Sequence, residues 1–543
     1  MSISRYYRTV RHLKPSQLFW RLWRKAYRPK PDLAPAPPLR ERAGVWEKPI
    51  AKQTRVKEPD TFTFLNETRR VDGPGAWNDP RIGRLWLYNL HYFDYLNTGP
   101  ERGGWRESII RRWISENPPA EGVGWEPYPA SLRIVNWIKW ALAGGSFDET
   151  IRRSLAIQAR WLTRNMERDI LANHLFANAK ALVFAGLFFD GAEAEAWRSM
   201  GAAMIDSQLD EQVLSDGGHF ERSPMYHAIV LEDTLDLINI TRAYLCDAPA
   251  GWSEKALKMV AWLGVMTHPD GKISFFNDSA FDIAPGLEVL EDYAARLGVD
   301  TGRRAEKGFV HLRDSGYIRI EKGPATAIID AAPVGPDCQP GHAHADTLSF
   351  ELSINGRRVM VNSGTSTYEP GPERLAQRGT AAHNTVRIDR ADSTEVWGAF
   401  RVARRARIVD MSVENAGDET VVLGAHDGFV RLAGVGAHKR VFRMSEGALL
   451  ITDEIAGSGD HDVEIFFHLH PDIAAGREGN NVARLAWDGG AFRADVRMDE
   501  RLALSLEEDR YHPGFGLSVP NTTLAGRARI RLPLTLMTKI TWR

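Results

Sequence analysis

The sequence predicts an α+β multidomain chain, a helical domain followed by an antiparallel β domain. Three observations carry this. At 543 residues the chain exceeds one ordinary hydrophobic core. From about residue 80 to 300, apolar residues recur at helical spacing. After about residue 305 the segments become short, β-rich and alternating, with Gly, Asp and Asn between them. A helical half followed by a β half gives two stacked domains, not an interleaved α/β fold.

The first thirty residues, MSISRYYRTVRHLKPSQLFWRLWRKAYRPK, are basic and set Trp20, Leu22 and Trp23 among arginines and lysines. They have no apolar h-region and no small-residue cleavage site, so they do not read as a standard secretory signal. The cytoplasm is therefore the expected location, with the periplasm or export as the alternative. Such a segment either touches an anionic membrane surface peripherally or packs on its own protein, which is the commoner outcome. The proline-rich stretch 29–38 reads as an extended connector.

Within the helical half, Trp125–Gly145, Ile151–Arg168 and Asn173–Phe189 keep helical spacing. Ser223-Pro224 is a helix start, with serine as N-cap and proline at the first helical position, and the helix runs through Met225–Tyr244. In the β half, Tyr317–Ile320, Ser349–Ile354, Arg358–Asn362, Val386–Asp389 and Val463–His470 read as strands. Asn355-Gly356 is a hairpin turn.

Composition narrows the function. With 43% hydrophobic and 26% charged residues the chain is that of a soluble globular protein. Its longest apolar run, Ala181–Phe189, cannot span a bilayer, so no transmembrane segment is read. Lys and Arg total 69 against 70 Asp and Glu, so global electrostatics call for no nucleic acid and any pull on anions is local. Cys246 and Cys338 can form neither a disulfide framework nor a thiolate zinc site.

Four clusters could carry chemistry. Asn173-His174 opens a helix of small and apolar residues. Tyr226 and His227 sit in GGHFERSPMYH, and Tyr226 falls in a first helical turn, where the macrodipole would favour a phenolate. In GHAHADTLSF, strand alternation would put His342, His344 and Asp346 on the face that continues as Leu348 and Phe350. Burying such groups unpartnered costs several kcal/mol, so a metal, a substrate or a hydrogen-bond network must meet them. Finally, RGTAAHNT holds Arg378 and His383, and His383 could join His344 in a metal site. The basic run Phe400–Arg407 adds local positive charge. Trp125, Tyr128, Arg133, Trp137 and Trp140 could supply aromatic platforms and a cationic anchor for sugar rings, or simply a helix core.

The segments NHLFANAKALVFAGLFF, GGHFERSPMYHAIVLEDTLDL, GHAHADTLSFELSINGRRVMVNSGTSTYE and RGTAAHNTVRID together resemble the heparinase II/III-like family of polysaccharide lyases. WLYNLHYFDYL and GWEPYPASLRIVNWIKW resemble upstream elements of exopolysaccharide-associated members. The resemblance spans residues 85 to 410. It implies an incomplete α/α toroid followed by an antiparallel β-sandwich. The chain then divides into a basic segment and connector at 1–40, the toroid at 41–304 and the sandwich at 305–543. It also implies β-elimination at a uronic acid of an acidic polysaccharide partner, leaving an unsaturated uronate end. Asn173 would sit at the carboxylate, Tyr226 would act as base, acid or both, and His342 would be the second acid/base group. His174, His227, Arg378, Arg133 and Trp125 would bind substrate. His344, Asn362 and His383 would hold a structural metal, zinc first. Asp346 has no role assigned by the resemblance and reads most simply as a carboxylate that orients one of those imidazoles. Asn362 departs from the Asp that members carry just before Ser-Gly, and its neutral oxygen is a poorer zinc ligand. No organic cofactor is implied. The alternatives are a carboxylate-dependent hydrolase using Glu221 and Asp233, a cupin-like metal enzyme, and a non-catalytic binding or assembly protein on the same fold.

Overall fold

The computed structural model describes residues 3–53, 55–99, 104–245, 247–299 and 308–543. Cys246 and the expected boundary at 304/305 lie outside the described residues.

Two short helices, α1 (Ile3–Val10) and α2 (Pro15–Ala26), precede an extended stretch. That stretch is strapped onto the helical domain. Arg160 donates to the carbonyls of Ala34 and Pro35 at 2.8 and 2.9 Å, and the backbone of Arg40 pairs with Phe188. A small antiparallel sheet follows, Val56–Glu58, Thr61–Phe64 and Glu67–Arg70. Its alternation is too brief to stand out in the sequence.

The helical domain contains α3 (Arg84–Tyr92), α4 (Trp105–Glu116), α5 (Pro127–Leu142), α6 (Glu149–Arg164) and α7 (Ala172–Phe188). It continues with α8 (Ala192–Gln212), α9 (Pro224–Leu245), α10 (Ala250–Val265) and α11 (Leu287–Arg296). α7 lies at the centre, buried on nearly every side, as expected of a helix apolar all round. Small residues let α8 approach it closely. A Cβ on Gly186 would stand 2.3 Å from the backbone N of Arg198, and one on Gly201 would stand 2.8 Å from the carbonyl of Ala179.

The β domain stacks two antiparallel sheets. One is a five-stranded meander, Phe309–Leu312, Tyr317–Lys322, Ala325–Asp330, Phe350–Ile354 and Arg357–Met360. Asn355 and Gly356 both take positive φ in its last turn, the backbone a two-residue hairpin requires. The other sheet has ten strands, with Ala448–His468 and Val519–Trp542 at its centre. The sheets meet through an apolar core in which Phe350 packs on Phe442 and Phe467, at ring distances of 5.6 and 6.0 Å. In the chain, α12 (Pro372–Arg378) follows the meander and precedes the strands of the larger sheet.

One expectation fails here. GHAHAD is not a strand: regular pairing begins at Phe350, and Leu348 takes φ 62°. Period-two alternation therefore does not govern His342, His344 and Asp346. They are placed by long-range contacts instead.

Candidate active site

Tyr226 sits in the first turn of α9. Ser223 caps that helix, its Oγ accepting from the Tyr226 N–H at 3.2 Å. The Tyr226 ring stacks on the His342 imidazole with centroids 3.8 Å apart, and its hydroxyl lies 3.0 Å from that of Tyr368. Thus the helical domain supplies the phenol and the β domain supplies the imidazole and a second phenol. The macrodipole does not dominate here. Burial, and then the Tyr368 hydroxyl, push the Tyr226 phenol well above its ordinary range. Tyr226 therefore rests neutral and is poised to donate a proton, which corrects the expected bias toward phenolate.

The group that organises the site is Asp278, which the sequence reading passed over. It is fully buried and accepts from His342 Nδ1 at 2.9 Å, His344 Nε2 at 2.8 Å and Arg374 Nη2 at 2.7 Å. Burial alone would raise this carboxyl. The Arg374 guanidinium and the two imidazole hydrogen bonds instead hold it well below the usual carboxylate range. Because Asp278 accepts at Nδ1, the lone pair of His342 resides on Nε2. Burial draws the His342 imidazole below its ordinary value against the pull of Asp278. The result is a neutral imidazole with a free base nitrogen.

Asn173 and His174 open α7 on the same side. His174 Nδ1 bonds Glu167 at 3.0 Å, and its ring lies against Tyr128 at a tilt, centroids 4.3 Å apart, leaving it partly exposed. The Asn173 amide makes no hydrogen bond among the described residues although it is buried. Nearby, Glu221 has both carboxyl oxygens buried without a hydrogen bond, with His219 Nδ1 3.7 Å from one of them; burial keeps that imidazole neutral and pushes Glu221 up to about 8. Left-handed, non-glycine residues stand just before three site segments: Leu171 and Ala172 before Asn173, Arg222 before Ser223, and Asn277 before Asp278. Such backbone costs about 1–3 kcal/mol per residue and collects at functional positions.

Four expected substrate contacts belong to the scaffold. His227 spends Nδ1 on the His219 N–H and Nε2 on the Met259 carbonyl at 2.8 Å, and stacks on Trp262. Arg378 donates to the Ala343, Gly398 and Ala399 carbonyls and so braces the His342 loop, while Arg374, one turn earlier, reaches Asp278. Arg133 bonds Gln158 and lies 3.9 Å over Trp113. Trp125 is buried among Trp113 and Trp161. In each case burial consumes the polar or aromatic face that a sugar would need. Of the aromatic stripe on α5, Tyr128 reaches the site, at His174. The hydrolase pair fails similarly: Asp233 is tied to Lys180 at 2.6 Å in a buried network that also joins Asp236 and Lys139.

His344, Asp346 and His383 form a second cluster, buried, with ligand-type atoms within 4.8 Å of one another. His344 Nδ1 and both nitrogens of His383 are buried without a partner. With Nε2 donating to Asp278, His344 has its lone pair on the unpartnered nitrogen, the carboxylate–histidine arrangement seen behind metal ligands. Burial pulls His383 well below its ordinary value, so it is neutral as a ligand must be. These residues fit a metal. Asp346, expected only to orient an imidazole, lies close enough to be a ligand. Asn362 is adjacent, its Oδ1 accepting from Asn384 N–H at 3.4 Å and its Nδ2 unpartnered.

The fold and site define a two-domain toroid–sandwich protein in which Tyr226 of the helical domain meets His342 and Tyr368 of the β domain. The chain belongs to the heparinase II/III-like family: the Heparinase II/III N-terminus model matches residues 108–293 and the Heparinase II/III-like, C-terminal model residues 304–542. It is similar to the heparin-sulfate lyase of Bacteroides stercoris, 26% identical over 342 residues covering 56% of this chain and 47% of that protein. It is also similar to FtsZ-localized protein C of Caulobacter vibrioides, 26% identical over 447 residues, 76% of this chain and 74% of that protein. The chain spans about half the length of the curated lyases it matches. The crystal structure of heparinase III shares the fold, with TM-score 0.68 and 19% identity over 88% of this chain and 79% of that one.

Proposed function

We propose that the chain is a polysaccharide lyase that cleaves a uronate-containing acidic polysaccharide by β-elimination. The observation that carries this is the stacked Tyr226–His342 pair, an acid and a base presented side by side by two domains. His342 Nε2 takes the C5 proton. The electrons of that C–H bond form the C4–C5 double bond as the C4–O4 bond breaks, and Tyr226 O–H protonates the departing O4. The imidazolium then lies against the new phenolate and returns the proton, so no water is consumed. Tyr368, 3.0 Å from Tyr226, favours the neutral phenol, so Tyr226 keeps its proton until O4 departs. The unpartnered Asn173 amide and the His174 ring serve the uronate carboxylate, whose neutralisation makes C5 acidic.

The same reading includes a structural metal, zinc by its donor set, held by His344, His383 and Asp346 with Asn362 beside them. It would tie the His342 loop to the His383 loop.

A second reading has one observation in its favour. The similarity to FtsZ-localized protein C spans more of both chains than the lyase matches do, which suits a binding or assembly role without turnover. Incubation with a panel of acidic polysaccharides separates the two. A rise in ultraviolet absorbance from unsaturated uronate supports the lyase. Binding without chain shortening on every substrate supports the second reading.

A further inference from the structure

The N-terminal helices are built inside out. A surface helix normally buries its apolar stripe, yet the buried residue of α2 is Gln17, 1% exposed, whose amide donates to the carbonyls of Asp169 and Cys338. Other polar ties dock the same helix: Arg24 to Asp169 at 2.7 Å, Lys14 to Glu211, and Trp20 under Arg168. On α1, Arg8 pairs with Glu395 and Thr9 accepts from Trp397. The apolar side chains point the other way. On α2, Leu18, Phe19, Leu22 and Trp23 are 45, 56, 68 and 44% exposed. Positions 18, 19, 22 and 23 share one helix face. Phe19, Trp23 and Tyr27 stack in a ladder at 6.2 and 5.3 Å. Ile3, Tyr6 and Tyr7 on α1 are likewise exposed.

Charge identifies the occupant. The first thirty residues hold nine Lys and Arg and no Asp or Glu, whereas the rest of the chain carries more acid than base. Arg5, Arg21, Lys25 and Arg28 are exposed around the apolar face and make no ion pair among the described residues. On its docked side α1 borders a cavity of about 1070 Å³ through Arg8, where Arg404 and Arg405 are paired with Glu395 and Asp337, so the unpaired cations lie on the exposed side. An apolar, aromatic face ringed by cations matches a bilayer surface rich in anionic lipid. α2, twelve residues long, measures roughly 18 Å, so it lies in the interface and cannot cross a core about 30 Å thick.

We propose that α1 and α2 form a docking face for anionic membrane, which seats the protein peripherally with its folded domains in solution. This does not rest on the lyase reading. The test is co-sedimentation of the full chain with vesicles of phosphatidylcholine alone or mixed with phosphatidylglycerol. Binding to the mixed vesicles alone is expected, weakening as salt rises from 0.1 M to 1 M and the screening length falls from about 10 to about 3 Å. Each cation near the surface contributes about fivefold (~1 kcal/mol), so R21Q/K25Q should weaken binding about 25-fold. F19S/L22S/W23S should abolish it while leaving thermal unfolding unchanged, because these side chains are outside the core. Equal binding to both vesicle types, or wild-type binding by the triple variant, would overturn the proposal. So would a lipid-free dimer that the triple variant dissolves, since a second copy would then cover the face.

Discussion

Glu221 gives a prediction whose size follows from the structure. Its carboxyl is buried with no hydrogen bond at either oxygen, the neutral His219 ring standing 3.7 Å away, and it stands at about 8, against 4.5 when solvated. The folded state therefore keeps a proton that the unfolded chain releases as pH rises past 4.5. A raised carboxyl destabilises with increasing pH: the penalty is absent in acid, grows between 4.5 and 8, and is complete above 8. Integrating the linkage at ~1.4 kcal/mol per pH unit gives a loss of ~3 kcal/mol between pH 5 and pH 8 from this residue alone. Glu221→Gln has the same shape and no proton to release. Any constant packing difference cancels when the two pH values are compared. Denaturant unfolding of both proteins at pH 5 and pH 8 should show the variant gaining ~3 kcal/mol on the wild type at the higher pH. Parallel pH profiles would mean that Glu221 is solvated or paired, and the description of its surroundings would be wrong.

Other changes test the remaining parts. Tyr226→Phe should reduce elimination by about 10²–10⁴ while shifting unfolding by only ~1 kcal/mol, read by absorbance assay and calorimetry on the same sample. Asp278→Asn leaves the buried Arg374 guanidinium uncompensated and should cost ~3–5 kcal/mol in denaturant unfolding. Chelator-treated protein should rise in melting temperature on adding zinc, by mass action on the folded state. His383→Ala should erase that rise, and a rise of equal size in the variant would remove His383 from the metal site.

The sequence conveyed the order of the domains because helical and strand periodicities are local properties. Ser223-Pro224 and Asn355-Gly356 were legible for the same reason: cap and turn chemistry are confined to a few residues. The site was legible only as residue types. Nothing local distinguishes Arg374 from Arg378, which lie one turn apart on α12, yet one holds Asp278 and the other holds backbone carbonyls. Trp125, Arg133 and His227 look like sugar or carboxylate contacts until the packing shows that their polar and aromatic faces are spent. Asp278 was missed because its role exists only through partners 64 to 96 residues away, which no spacing rule reaches. The HxHxD segment was informative for the wrong reason. Its residues do divide between the His342 side and the His383 cluster, but a loop places them, not strand alternation.

The central claim is that the paired Tyr226 and His342 perform an elimination. Mass analysis of the products from a defined uronate-containing oligosaccharide tests it most directly. Elimination predicts fragments whose masses sum to that of the substrate, with one ultraviolet-absorbing unsaturated end per cut, formed about 10²–10⁴-fold more slowly in Tyr226→Phe. Fragments that together gain one water per cut, with no absorbing end, would contradict it.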